Sequence, residues 1–345
     1  MLYKHLLLWI ALLSLLSTTL LANLTDRDDI QHFIQFMHQK HHYNTDQLSQ
    51  LFNSIPTSKK QKNKKQQHGV IHEMKSKHDF IPWHKYRSIF IKQQNIDDGA
   101  QFWYNHRQWL NKAQKAFGVP ASVIVATLGV ETHYGNRTGK HPIFQSLAIL
   151  TFNYNHRHHF FRQQLIAYLL YCRDNHLDPN AIKGSYAGAI GLPQFMPTSI
   201  RDLAIDFDQT DRIDIIHDPA DAIGSVANYY AQHDWHPGKP IATKALIRDH
   251  DQLKQLLKKQ PHPKMTLKQF RKHGIDPRMK LDSSLKARLI KLQGKHHPIY
   301  WLTFHNFNVI KTYNSSNDYA MALYQLSHKT VYAYRQLLKE QKEQS

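Results

Sequence analysis

One stretch constrains this chain more than any other, the run from Gly118 to Gly135. Pro120 suits a first helical position, where its missing N–H is no loss, and Gly135 suits the stop. Almost everything between them is apolar or small, which predicts a helix buried on most of its surface. Glu131 is the exception. Helical spacing puts it on the face of Leu128, Thr127 and Ile124. An ionised Glu is costly to bury there, so its pKa should rise. A carboxyl group kept protonated near neutral pH is what a general acid for a glycosidic oxygen requires. A solvated Glu at a fraying helix end would give the same pattern.

The 345 residues suffice for two or three modest domains or one large one with additions. Hydrophobic residues make up 41% and aromatics 11%, which supports a core and argues against wholesale disorder. Lys and Arg (45) exceed Asp and Glu (26) by 19, and 26 His add positive charge at low pH. This balance favours a polyanionic partner: nucleic acid, an anionic membrane surface or an acidic wall polymer. The one Cys, Cys172, excludes an intramolecular disulfide. Its apolar setting, Leu165 to Tyr171, reads as a buried structural thiol.

Residues 1–22 read as a signal peptide or N-terminal anchor, with Lys4 before the apolar run Leu6 to Leu16. Leu20 is larger than the small residue that cleavage after Ala22 favours, so an uncleaved anchor is the alternative. No Cys lies near this site, so a lipoprotein is not expected. Residues 23–78 read as an N-terminal helical segment and a basic linker. Two helices span Asp28 to Ile55, with a capping break at Asn44-Thr45-Asp46. Pro56 to Gln67 carries five Lys and no aromatic residue, which fits a solvated linker better than a nucleic-acid surface.

Residues 79–238 read as the main core. Phe80 to Phe117 is rich in aromatics that helical spacing assigns to packing, with a helix from Asp97-Asp98-Gly99 to about Phe117. After the central helix come a polar loop, Asn136 to His141, and a helix near Phe144 to Leu150. A His-rich loop then leads into the Cys172 helix. His156, His158 and His159 lack the spacing of a zinc site. Lys183 to Ser199 holds Gly184, Gly188, Gly191, Pro193 and Pro197, too many breakers for a long element. Its Gly residues allow close approach of a ligand to backbone, and Ser185 and Gln194 offer groups suited to sugar hydroxyls and N-acetyl groups. A turn-rich connection is the plainer reading.

Asp206 to Asp214 is acidic in a basic chain. Its alternating Asp residues resemble a calcium loop, with Asp206, Asp208 and Asp214 as candidate ligands. Thr210 breaks the alternation, and Asp211 stands where such a loop wants Gly. Asp218-Pro219 should open a helix through Tyr229-Tyr230. Residues 239–298 read as a small peripheral α/β insertion. Residues 299–345 return to the core, with a strand at Ile299 to Thr303, a loop at Asn306 to Tyr313, and a closing helix from Asp318 to Leu338.

Three motifs together carry a resemblance. They are Gly129-Val130-Glu131-Thr132; Gly188-Ala189-Ile190-Gly191 with Gln194-Phe195-Met196-Pro197; and Asp221-Ala222-Ile223-Gly224-Ser225-Val226-Ala227-Asn228-Tyr229. In this order they resemble the membrane-bound lytic murein transglycosylase B family, from about Phe33 to His328. The resemblance implies a mainly α (α+β) fold, with a lysozyme-like helical catalytic core and smaller flanking parts. It implies cleavage of the β-1,4 bond between N-acetylmuramic acid and N-acetylglucosamine in peptidoglycan, giving 1,6-anhydromuramoyl ends. Carried over by motif, Glu131 is the catalytic acid and base. Arg157, Ser185, Gln194, Tyr229, Tyr230, Tyr313, Asn314 and Tyr319 correspond to substrate-binding positions. His156 stands where the family commonly has Arg. The family's calcium loop aligns with Asp206 to Asp214; no cofactor is required for the chemistry.

The resemblance also implies a periplasmic protein whose partner is the peptidoglycan glycan strand. Other wall-synthesis or wall-hydrolysis enzymes are conceivable partners. Nucleic acid is not expected, and the membrane is touched only through an uncleaved N-terminus. Ordinary glycosidases use two carboxylates, whereas the Glu131 motif supplies one. Two other readings compete: a muramidase that uses water, and an inactive peptidoglycan-binding scaffold.

Overall fold

The computed structural model describes residues 24–55, 81–154, 156–258 and 264–343. The expected signal or anchor and the basic linker lie outside these residues. Two helices open the described chain, α1 (Asp28–His41) and α2 (Thr45–Asn53). Next come α3 (Trp83–Phe90), α4 (Gln93–Asn105), α5 (Arg107–Phe117) and α6 (Ala121–Thr132). The short β1 (His141–Pro142) leads into α7 (Ile143–Phe152) and α8 (His158–Asp174). Then follow β2 (Lys183–Gly184), α9 (Pro197–Leu203) and α10 (Pro219–Gln232). The insertion contains β3 (Ala242–Ile247), α11 (His250–Lys258), β4 (Met265–Thr266), α12 (Leu267–Lys272), β5 (Ile275–Pro277) and β6 (Lys286–Leu292). The chain closes with β7 (Ile299–Thr303), α13 (His305–Tyr313) and α14 (Asn317–Glu343). Among the described residues the fold is mainly helical, with a two-stranded β1–β2 pair and one five-stranded sheet.

The central helix is α6. Residues Ala121 and Val123 to Val130 are buried, so the helix has neighbours on nearly every side. It packs against α4, α5, α10 and α14. Pro120 is its N-cap, one residue before the position expected for it, and the Gln114 amide oxygen accepts from the Ala121 N–H at 2.8 Å. His133 ends it in the left-handed conformation, with the Tyr134 N–H returning to the Leu128 carbonyl at 3.1 Å. Asn44 and Asp218 cap α2 and α10 through their side chains, as their sequence positions predict.

Three expectations need correction. The helix expected to start at Asp97 begins at Gln93, and it breaks at His106, whose ψ of 21° divides α4 from α5. The segment expected as a loop at Asn306 to Tyr313 is α13, because buried Asn306, Phe307, Val309 and Ile310 give it an inward face. The strand at Ile299 to Thr303 belongs to the inserted sheet. It pairs antiparallel with both β3 and β6, in the order β4-β6-β7-β3-β5, so the sheet extends past residue 298. This sheet carries its own small core of Leu253, Leu256, Leu267, Phe270, Ile275 and Leu289. No single helix among the described residues is long and apolar enough to cross a membrane.

Candidate active site

Glu131 sits in the last turn of α6, the one residue of that turn that is not buried. It is partly accessible, which a proton donor to a bound ligand requires. Burial nevertheless pushes its carboxyl up from near 4.5 to about 7, against the pull of the Tyr319 hydroxyl. That hydroxyl donates to Oε1 at 2.6 Å. Among the described residues no other group hydrogen-bonds the carboxyl, and no second carboxylate pairs with it. Desolvation therefore outweighs the hydrogen bond that favours the ion.

Below the carboxyl lies a bed of tyrosines. Tyr319 stacks on Tyr313 at 6.5 Å and 14°. Tyr313 in turn lies 4.8 Å from Tyr229 and 5.8 Å from Tyr230. Burial holds the Tyr319 and Tyr313 hydroxyls well above their ordinary value, with the Glu131 charge adding to it, so both stay neutral donors. The Tyr313 hydroxyl donates to the Pro193 carbonyl, tying α13 to the glycine-rich loop. Tyr230 is fully buried, with its hydroxyl 2.9 Å from that of Thr127. It belongs to the support of the site; no face of it is open to a ligand.

The loop from Lys183 to Met196 is folded by its own hydrogen bonds. Ile190 and Phe195 exchange backbone bonds at 2.9 and 3.1 Å, and the Ser185 hydroxyl oxygen accepts from the Ala189 N–H at 2.9 Å. Gly191 has φ of 72°, and a Cβ there would collide with the Ile215 carbonyl, so only Gly fits. Gln194 also takes a positive φ, 50°, and spends its amide N–H groups on the Thr138 and Gly191 carbonyls. Among the described residues its amide oxygen and the Ser185 hydroxyl proton make no hydrogen bond. Thr132 joins this loop to the end of α6, donating to the Leu192 carbonyl at 2.9 Å.

Two predicted residues stand apart from this cluster. Arg157 is exposed at the start of α8, its guanidinium 4.2 Å from the Phe160 ring centroid. Asn314 is exposed at the end of α13, accepting from the Ser316 N–H at 3.1 Å. No contact joins either to Glu131 among the described residues. One residue that feels the Glu131 charge is absent from the predicted set. Burial pushes the Tyr86 hydroxyl up to about 12, and the charges of Asp318 and Glu131 add to the shift. Its sequence signal, one aromatic in a helical stripe, does not distinguish it from core.

The acidic loop brings together a set different from the one expected. Carboxylate oxygens of Asp206, Asp208 and Asp221 lie within 4.8 Å of one another. Asp214 is engaged elsewhere: Oδ1 accepts from the Ile216 and His217 N–H groups, and Oδ2 faces Arg212 and His217. Asp221, on α10, replaces it and holds the loop from below, accepting from the N–H groups of Phe207 and Asp214 at 2.7 Å each. Asp208 Oδ1 is buried with no hydrogen-bond partner. Burial and the facing Asp208 carboxyl push Asp218 up. An orphaned carboxylate oxygen among crowded carboxylates fits a hard divalent cation. Asp211 has φ of 63°, so Asp adopts the conformation for which such loops use Gly.

A helical core built round a buried helix, with a desolvated Glu in its last turn and a small inserted antiparallel sheet, defines a class: the lysozyme-like lytic transglycosylases. The chain belongs to the transglycosylase SLT domain family, which it matches over residues 25–328. It is 39% identical over 254 residues to the membrane-bound lytic murein transglycosylase B of Escherichia coli (strain K12), covering 73% of this chain and 68% of that one. The fold superimposes on the soluble lytic transglycosylase SltB1 of Pseudomonas aeruginosa with a TM-score of 0.80 at 37% identity, over 88% and 99% of the two chains. It also matches the Escherichia coli lytic transglycosylase Slt35, solved in complex with calcium. There the TM-score is 0.79 at 34% identity, over 89% and 94%.

Tyr319→Phe is expected to raise the pKa of Glu131 further, because the lost hydrogen bond favours the carboxylate. The fall in activity on the alkaline side should then move to higher pH. A pH profile of muropeptide release that moves the other way contradicts this arrangement.

Proposed function

We propose that the chain cleaves the β-1,4 bond between N-acetylmuramic acid and N-acetylglucosamine in peptidoglycan without consuming water, forming 1,6-anhydromuramoyl ends. The observation that carries this reading is the Glu131 carboxyl, desolvated to a pKa of about 7 and, among the described residues, unpaired with any second carboxylate. Protonated Glu131 gives its proton to the departing glycosidic oxygen, and the C1–O bond breaks. The substrate's own N-acetyl carbonyl stabilises the developing positive charge at C1. Ionised Glu131 then takes the proton of the muramoyl C6 hydroxyl as that oxygen bonds to C1. The carboxyl ends protonated, ready for the next bond.

Other residues support this cycle. Tyr319 steadies the carboxylate formed midway, through a charge-assisted hydrogen bond. Ser185 and Gln194 meet sugar hydroxyl and N-acetyl groups from the loop beside α6. Tyr229 and Tyr313 form the aromatic floor with Tyr230 packed beneath them as support, and Asn314 and Arg157 extend the surface to the flanking sugars and stem peptides. The basic chain suits an anionic wall polymer in the periplasm. Digestion of purified sacculi tests the reading. Muropeptides lighter by one water than the reducing form support it, and reducing ends indicate a muramidase that uses water.

Asp206, Asp208 and Asp221 would hold a calcium ion that fastens the loop to α10 and takes no part in the chemistry. Millimolar calcium should then raise the melting temperature of chelator-treated protein. An equal rise in an Asp208→Asn variant would exclude this site.

A further inference from the structure

The inserted sheet joins the helical core through two crossing segments, residues 233–241 on the way out and 303–306 on the way back. Asn306 is fully buried at this neck. Its amide oxygen accepts from the His236 N–H at 2.9 Å, and its amide nitrogen donates to the carbonyls of His236 and Lys239 at 2.8 and 3.1 Å. The Phe304 N–H donates to the Ile241 carbonyl at 2.9 Å. The crossing is therefore rigid, and it fixes the side chains above it.

Three of those side chains converge. Asp234 Oδ1 lies 3.2 Å from His236 Nε2, and Asp234 Oδ2 lies 3.2 Å from His305 Nε2. The two imidazole rings stack at 4.0 Å and 16°. All three ligand atoms fall within 4.8 Å of one another. A distance of 3.2 Å is long for a charge-assisted hydrogen bond, which prefers about 2.8 Å. The two distances run to different oxygens of the carboxylate, so the two imidazole nitrogens flank one carboxylate, and an ion bound at about 2.0–2.1 Å to each residue would sit between them after small shifts of the side chains. Asp234 holds a left-handed backbone, φ 67°, a strained conformation for a residue other than Gly. All three side chains are open to solvent, so an ion can reach them.

We propose that Asp234, His236 and His305 form a site for one divalent transition metal ion, zinc by its ligand chemistry, that clips the neck of the insertion. Two imidazoles and one carboxylate select this class over calcium or magnesium, which prefer all-oxygen sets. His305 Nε2 now lies 2.7 Å from the Asp234 carbonyl and would give up that hydrogen bond to bind the ion. The fourth position would be water. One ligand pair comes from the outgoing segment and the third ligand from the returning one, so the ion would cross-link residues about 70 apart in sequence, at the junction. The site does not depend on the proposed activity or on the acidic loop.

The test uses untagged full-length protein freed of metal with a chelator. Cobalt(II) titration should give visible d–d absorption that saturates, and zinc chloride should raise the melting temperature. Both effects should disappear in an H236Q/H305Q double variant and weaken in Asp234→Asn. The chain has 26 His, so the reading is the difference between parent and variants under the same titration. The double variant must keep the metal-free melting temperature within a few degrees; if it does not fold, Asp234→Asn alone carries the comparison. Equal absorption and equal thermal shift in parent and variants, or no saturable binding in the parent, overturns the proposal.

Discussion

Glu131→Gln is expected to stop sacculus digestion, with turnover reduced by at least ~10³-fold, since one positioned acid or base contributes roughly 10²–10⁴-fold and this residue serves as both. Gln keeps the shape of the side chain and can still accept from Tyr319. The loss should therefore be chemical and not structural. Stability gives a second check. The folded pKa, about 7, lies above the ordinary value near 4.5, so the native state binds the proton more tightly. That contribution to stability is complete below about pH 4.5 and is lost as pH rises through 7. The neutral variant has no such loss, so its melting temperature should gain on the parent's between about pH 5 and 8. A Glu131→Gln variant that digests sacculi as well as the parent would remove Glu131 from the mechanism.

Asp221→Ala should cause the largest loss of stability, roughly 3 kcal/mol or more by urea unfolding. Asp221 is fully buried on α10, and its two oxygens each accept a backbone N–H at 2.7 Å. Its loss orphans the N–H groups of Phe207 and Asp214, at about 1–3 kcal/mol each for a buried unpaired donor. Phe207 also packs beneath Trp109 and Phe117 and against Gly224, so a loosened loop would disturb the floor of α5 and α10. The burial and neighbouring charges that raise the Asp221 pKa offset part of this, because they already tax the ionised form. Asp221→Asn, which retains one acceptor, should lie between parent and Ala. A loss below ~1 kcal/mol in the Ala variant would mean that the loop holds itself.

The central helix was legible because its apolar content leaves one interpretation, and Glu131 was legible because nothing else polar of its size shares that face. Caps at Asn44 and Asp218 were legible for a local reason: the side chain bonds backbone two or three residues on. The break at His106 was not, since neither Gly nor Pro marks it. Helix α13 was hidden because Asn306 and Asn308 look like loop residues, while in the fold Asn306 is the buried staple of the neck. The exchange of Asp214 for Asp221 has a similar cause. A repeat of Asp along the chain suggests adjacent ligands, but the third carboxylate comes from a helix that only tertiary packing brings beneath the loop. The coupling of Tyr86 to the Glu131 charge is the same kind of long-range effect.

The direct measurement is a carboxyl titration. The chain has four Glu residues, Glu73, Glu131, Glu340 and Glu343, so protein labelled with ¹³C at the Glu side-chain carboxyl gives a short spectrum, and Glu131→Gln identifies the signal in question. The Glu131 signal should titrate near pH 7. A midpoint near 4.5 would show a carboxyl in ordinary contact with water, unable to carry a proton to the glycosidic oxygen near neutral pH, and would contradict the account.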